Sequence, residues 1–308
     1  VLVLYSTNEK KHRMSHHHHH HGHQNIKLAF FLNLSFTVLE FFGGLYVNSV
    51  AIISDALHDL GDSLSLGLSW YLARKANKKA TQTFTFGYKR FSLLGALING
   101  LILFAGSLFI IKEAVTRIIH PEPSDAQGMM IFAIIGVLVN GFAAYRLSHG
   151  KTLNEKVISW HLLEDVLGWA AVLVASIVML FVDTPYIDPV LSLLITLYIL
   201  WNVIKRLKET LMIFLQASPS EINEKEIKGK LLQLHHVQSL HHVHIWSLDG
   251  EKHVFTAHIK LKEVQGLDEV LALKKTLKKI LKDYPFSHHT IEVELPGEQC
   301  AMEPMEKD

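Results

Sequence analysis

From Lys27 to Leu207 the chain alternates long apolar stretches with short polar breaks. Six stretches are close to the roughly 20 residues that cross a bilayer as a helix: 28–47, 50–73, 91–112, 129–147, 157–182 and 187–204. Asn48-Ser49 joins the first two and Asp183-Thr184-Pro185 the last two, so each of those pairs must be an antiparallel hairpin. Beyond Leu207 the pattern changes. Residues 221–235 and 267–283 read as amphipathic helices, whereas 237–248, 252–262 and 289–295 alternate as strands, with Asp249-Gly250 between the first two. The order αββαβ predicts a small open-faced α+β sandwich with its helices on one side of a sheet. The predicted division is therefore a tail at 1–26, a domain of six transmembrane helices at 27–207, the α+β domain at 208–296 and a polar, disordered tail at 297–308.

Basic residues set the orientation. Arg74, Lys75, Lys78, Lys79, Lys89 and Arg90 follow the second stretch, Arg146, Lys151 and Lys156 the fourth, and Lys205, Arg206 and Lys208 the sixth. The opposite side has Lys112 and Arg117 beside Glu113, Glu122 and Asp125. Both termini, and with them the α+β domain, are expected in the cytoplasm. The first 26 residues lack a secretory apolar core; Met14-Ser15 and the six histidines that follow read as an expression tag or as a metal-collecting tail.

Composition agrees with a membrane protein. Of 308 residues 49% are hydrophobic and 19% charged, below the roughly 25% charge of a soluble domain. A net charge of +1 argues against a nucleic-acid partner held by bulk electrostatics. The single cysteine, Cys300, leaves no thiolate cluster for structural zinc. Histidine is the outlier at 21 residues: eight in 12–23, four from 58 to 161, and nine from 235 to 289.

The few histidines inside the apolar region matter most, because a charged or polar group there needs a reason. The second stretch holds Asp55, His58, Asp59 and Asp62 on one helical stripe, with His58 and Asp62 one turn apart. The fifth repeats the spacing in His161 and Asp165, with Glu164 beside them. Two imidazoles and two carboxylates suit tetrahedral Zn²⁺ and leave the loaded site near neutral. A lone His-Asp pair is equally compatible with helix packing or a proton path; its duplication in two helices favours a metal. Asp59 and Glu164, one position away from the ligands, are expected to support them. Asp55 and Glu40 are read as further supporting or pathway residues, Glu40 sharing a face with Asn33, Thr37 and Gly44. Asn99, Asn140 and Asp188 read as interhelical hydrogen-bonding residues, and Gly95, Gly100 and Gly106 as sites of close helix contact. In the α+β domain, His235, His236, His253 and His288 are expected to face solvent.

The segments NSVAIISDALHDLGDS, TFTFGYKRFSLLGALING, HLLED, IDPVLSLLI and HHVHIWSL resemble the cation diffusion facilitator family over about residues 25–296. The resemblance implies a zinc-type cation efflux transporter with six membrane helices and a ferredoxin-like or metallochaperone-like cytoplasmic domain. It also implies a homodimer in the lipid bilayer that exchanges divalent metal for protons. By position it places the transport site on His58, Asp62, His161 and Asp165, with His at the first position marking the zinc type and Cd²⁺ or Co²⁺ as passengers. It places a cytoplasmic metal site on His241, His258 and Glu294. Ser92 stands where many members have an acidic residue, and no metal site is expected in the loops at 74–90 and 146–156. Zn²⁺ is then substrate and regulatory ion rather than cofactor, and alternating access the expected mechanism. Compact loops lean towards a bacterial plasma membrane. A membrane-embedded metalloenzyme and a metal sensor are the competing classes; the former lacks an HExxH sequence.

Overall fold

The computed structural model describes residues 19–76, 78–149, 153–182, 184–300 and 302. The residues before His19, together with Lys151, Asp183 and the tail beyond Met302, on which expectations were placed, lie outside the described residues. The elements run α1 (His19–Tyr46), α2 (Val50–Ala76), α3 (Phe91–Ile119), α4 (Ala126–Ser148), α5 (Leu153–Phe181), α6 (Ile187–Phe214), α7 (Glu224–Leu232), β1 (Val237–Ser247), β2 (His253–Leu261), α8 (Leu267–Leu281) and β3 (Phe286–Glu294).

Each apolar stretch falls on one helix, but α3 continues to Ile119 and α6 to Phe214. Lys, Glu and Arg are good helix formers, so the end of an apolar stretch marks the expected membrane edge without ending the helix. Phe91–Ile119, Ala126–Ser148, Ser159–Phe181 and Ile187–Phe214 are long and apolar enough to cross a membrane. Within α1 the described side chains give the apolar run Leu34–Tyr46, and α2 carries the three aspartates. Large apolar side chains such as Leu138, Phe142, Leu167 and Trp201 point outwards, as they do where the surrounding solvent is hydrocarbon.

The chain divides into two compact units, one comprising the residues up to Ser63 with Ala105–Leu200, the other Leu64–Phe104 with Trp201–Asp308. In the first unit Trp169 is fully buried with Phe36, Ala133 and Val172. A Cβ at Gly136 would sit 2.2 Å from the Trp169 ring, so the indole occupies space that any side chain on α4 would need. Gly43 gives way to Phe132 in the same manner. In the second unit Gly95 meets Leu72 and Gly100 meets Leu207, as expected for close helix contact. A Cβ on Gly106 would meet no atom of the described residues within 4 Å, so the close contact expected there is not found.

One end of the first unit is tied by polar groups. Asp188 on α6 is fully buried and accepts hydrogen bonds from Ser49 Oγ at 2.6 Å, Val50 N at 2.8 Å, Ala51 N at 3.2 Å and Ser124 Oγ at 3.2 Å. A carboxylate at a helix N-terminus satisfies donors that the helix cannot and complements its dipole. Arg117 of α3 donates to Asn48 O at 2.7 Å and Asn48 Oδ1 at 2.8 Å, holding the α1–α2 turn. Deeper along the helices, Ser54 and Thr196 hydroxyls are 2.9 Å apart.

In the second unit the sheet has the order β1-β2-β3, β1 and β2 antiparallel and β2 and β3 parallel. A parallel pair needs a crossover, which α8 supplies. The third strand starts at Phe286, three residues before the expected start, because His288 and His289 pair with Val254 and Phe255. Phe255, Ala257, Ile259 and Leu261 alternate onto the face covered by Ile227 and Leu231 of α7 and Leu273, Leu277 and Leu281 of α8. The even-numbered residues of β2, His258 among them, therefore point to the other face. Of the histidines expected to face solvent, His235 and His288 are exposed and His236 is half-buried. His253 is a correction: it is 1% exposed, with Nε2 3.4 Å from Glu221. It opens β2 beneath the β3 crossover, where its N–H donates to Pro285 O.

Candidate metal centres

The period of an α-helix places His58 and Asp62 one above the other on α2, and His161 and Asp165 likewise on α5. The two helices bring three of these side chains together. His161 Nε2 lies 2.6 Å from Asp62 Oδ2 and His58 Nε2 3.7 Å from the same oxygen. The two imidazole rings meet edge to face with centroids 5.9 Å apart. Ligand atoms of His58, Asp62 and His161 all fall within 4.8 Å of one another. Asp165 is buried one turn along α5, and its carboxylate lies outside that cluster. Nitrogen and oxygen donors of this kind suit Zn²⁺.

The supporting carboxylates differ among themselves. Asp59 is 1% exposed and Glu40 fully buried, whereas Glu164 is exposed. Asp55 faces α5 where that helix has no side chain: its Oδ1 would be 4.0 Å from a Cβ on Gly168. Glu164 is thus the member of the set turned away from the interior.

A second convergence lies on the helix-free face of the sheet. His241 and His258 are direct cross-strand partners, and their ring centroids are 5.5 Å apart. Glu294, at the end of β3, is 3% exposed; its Oε1 is 2.9 Å from His241 Nε2 and 3.1 Å from His258 Nδ1. The site also includes Cys300, whose Sγ is 3.5 Å from His258 Nδ1 and belongs to the same 4.8 Å group. Sequence reasoning missed it, since no periodicity extends past β3. The tail is turned back by Gly297 at φ +83° and by Glu298, whose carboxylate accepts from Leu295 N at 2.7 Å.

The electrostatics of this site are mixed. Burial opposes ionisation of Glu294, but hydrogen bonds with His258, Cys300 and His241 outweigh it and hold the carboxyl below its ordinary range. At Cys300 a hydrogen bond with the Met302 backbone favours the thiolate, while burial and the Glu294 and Glu292 carboxylates push the thiol up overall. A β-bulge at His241–His244 gives His242 a left-handed backbone (φ +48°) and brings its ring within 5.0 Å of His258. Burial, then the neighbouring histidines, lower the His242 imidazole. One thiol, two imidazoles and a carboxylate form a four-donor set that a divalent metal can take once the thiol loses its proton.

Histidine and aspartate side chains brought together by two helices of an apolar bundle, followed by a small sheet domain with a second cluster of donor groups, are the arrangement expected of a membrane transporter of divalent metal. The comparisons give the family. Residues 26–215 match the cation efflux transmembrane domain and residues 219–295 the cytoplasmic domain of cation efflux proteins, so the chain belongs to the cation efflux family of transporters rather than to an enzyme family. It is 34% identical to the zinc transporter ZitB of Pectobacterium atrosepticum, over 86% of this chain and 83% of that one. It is 31% identical to a cadmium, cobalt and zinc/H(+)-K(+) antiporter of Bacillus velezensis, over 91% and 92% of the two chains. Identity to the metal cation efflux system protein CzcD of Cupriavidus metallidurans is 32%, over 93% and 91%.

Proposed function

We propose that the protein exports Zn²⁺, with Cd²⁺ and Co²⁺ as secondary substrates, from the cytoplasm in exchange for protons. The observation that carries the reading is the meeting of His58 and Asp62 on α2 with His161 on α5 within 4.8 Å, in a family of cation transporters. Asp165 completes the set when α5 shifts relative to α2. Metal requires neutral imidazole and ionised carboxylate, so loading releases protons and protonation expels metal.

The anchored end of the bundle gives alternating access a place to pivot. Asp188 and the Ser54–Thr196 pair join α2 to α6, whereas Trp169 seated over Gly136 joins α5 to α4. The α2–α5 seam carries the proposed ligands, and the alternation between the two sides works by movement along it. The protein works as a homodimer in a bacterial plasma membrane, with both termini cytoplasmic. Its domains divide near Leu207 and end near residue 296, and His241, His258 and Glu294, joined by Cys300, bind regulatory metal.

Purified protein in liposomes with a metal-sensitive dye inside tests this reading. Zinc entry is expected to follow an imposed pH gradient and to stop when an ionophore collapses it; zinc entry indifferent to the gradient would contradict proton exchange.

A further inference from the structure

The chain has one cysteine, Cys300, in 308 residues, and it lies on the helix-free face of the sheet against the other cytoplasmic donors. The chain beyond β3 is shaped to put it there. It turns at Gly297, whose φ of +83° suits glycine, and two hydrogen bonds close the turn: Glu298 N donates to Leu295 O at 3.1 Å, and Leu295 N to the Glu298 carboxylate at 2.7 Å. Two residues further on, Cys300 Sγ lies 3.5 Å from His258 Nδ1. Glu294 Oε1 approaches the same nitrogen at 3.1 Å. The other oxygen of that carboxylate, Oε2, is buried without a hydrogen-bond partner among the described residues, on a side chain only 3% exposed.

His258 is prepared for a metal at that nitrogen. Its Nε2 is 3.3 Å from Glu292 Oε2, and a ring that donates Nε2–H there keeps the Nδ1 lone pair for a cation. A cation among these groups meets two nitrogens, one oxygen and one sulfur that already lie within 4.8 Å of one another, and it supplies the buried Glu294 carboxylate with the partner it lacks. The Cys300 thiol gives its proton to water as the metal–sulfur bond forms, with no change of oxidation state. The α2–α5 cluster of His58, Asp62 and His161 offers nitrogen and oxygen alone. Thiolate favours soft, polarisable ions, whereas imidazole and carboxylate make little distinction in their favour.

We propose that Cys300 sets the metal preference of the cytoplasmic site, so that this site takes thiophilic divalent ions and binds Cd²⁺ ahead of Co²⁺. This rests on the reading that the sheet-face donors hold regulatory metal, and it names the residue that decides which metal. The two sites of the protein then rank the same ions differently. The cytoplasmic domain fills first with the softer ion, while the thiol-free cluster between α2 and α5 accepts both.

The test uses the full chain carrying Asp62→Ala, kept reduced, with free Co²⁺ and Cd²⁺ each fixed by a chelator buffer. Co²⁺ is expected to give a thiolate-to-cobalt charge-transfer band, which the histidine run at 16–21 has no sulfur to produce. The band is expected to vanish in Cys300→Ser, and also in a His241→Ala and His258→Ala double variant that keeps the thiol. Cd²⁺ is expected to erase the band at a free concentration about tenfold below that of Co²⁺. The proposal is overturned by Co²⁺ bound through His241 and His258 without the band, or by a band that survives loss of both histidines and so marks a free tail thiol. It is equally overturned if Cd²⁺ displaces Co²⁺ only at a free concentration equal to or above that of Co²⁺. A parent chain that binds no more Co²⁺ than the double variant would instead defeat the cytoplasmic site itself, and this inference with it.

Discussion

Asp188 Oδ2 on α6 accepts a hydrogen bond from the backbone N–H of Val50 at 2.8 Å, so the helix that carries His58 and Asp62 is held at its first residue by a carboxylate from another helix. Ser49 and Ala51 donate to the other carboxylate oxygen. Ser49 Oγ in turn accepts from Ile52 N at 3.2 Å and caps α2. The proposed ligands and the anchor lie on the same helix, about two to three turns apart.

Removing that anchor leaves buried donors unpaired. Asp188→Ala is expected to destabilise the protein by about 2–4 kcal/mol, since charged hydrogen bonds and orphaned donors both count against it. Asp188→Asn, which keeps one acceptor oxygen, is expected to fall between. Thermal unfolding in detergent, with hydrogen exchange at Val50 and Ala51 as the local probe, checks the order; equal stability of Asp188→Ala and wild type would refute the anchor.

The α4–α5 seat admits a simpler test. Gly136→Val places two methyl groups where the Trp169 ring already lies, and overpacking of a close-packed interior costs about 1–3 kcal/mol. Gly106→Val, with no atom in reach, is expected to be neutral. Comparing the two melting temperatures separates close contact from a general intolerance of change in these helices.

Cys300 marks a limit of what the sequence reveals. The repeated His-x-x-x-Asp stripe is visible because helical periodicity projects residues four apart onto one face, and His241 facing His258 follows from strand alternation. The approach of Cys300 depends on how an aperiodic tail folds back after β3, which no local pattern encodes. His253 was misjudged for a related reason: alternation does not reveal that the crossover closes over the first residue of β2. For Asp188 the hydrogen-bonding role was readable, but its partners 137 to 139 residues away were not.

Replacing Cys300 by Ser is expected to weaken zinc binding at the cytoplasmic site about 10- to 100-fold, with His258→Ala weakening it further. Competition with a chromophoric chelator, in full chain carrying Asp62→Ala to remove the membrane site, measures both. Identical affinity in Cys300→Ser and its parent would show that the thiol is a bystander.

Acid should loosen β3. His289 is half-buried, and its imidazole is lowered by burial first and then by His288 and Lys278. A histidine lowered in the folded state binds fewer protons there than when unfolded, so its stabilising contribution is complete above its ordinary value of about 6.5 and is lost as pH falls through the folded value. Hydrogen-exchange protection of β2–β3 amides, measured with metal chelated, is expected to decline from pH 7 towards pH 5. His289→Gln should flatten that decline; an equally steep decline in the variant would assign it to other groups.

The initial rate of zinc entry into proteoliposomes under a fixed pH gradient, for wild type beside Asp62→Asn, bears on the central claim most directly. Asp62 Oδ2 is the oxygen that both His58 and His161 face, and the amide keeps its shape while removing its charge. The expected result is a rate at least about tenfold lower in a variant that retains the wild-type melting profile. A folded Asp62→Asn protein that moves zinc at the wild-type rate would place the transport site elsewhere.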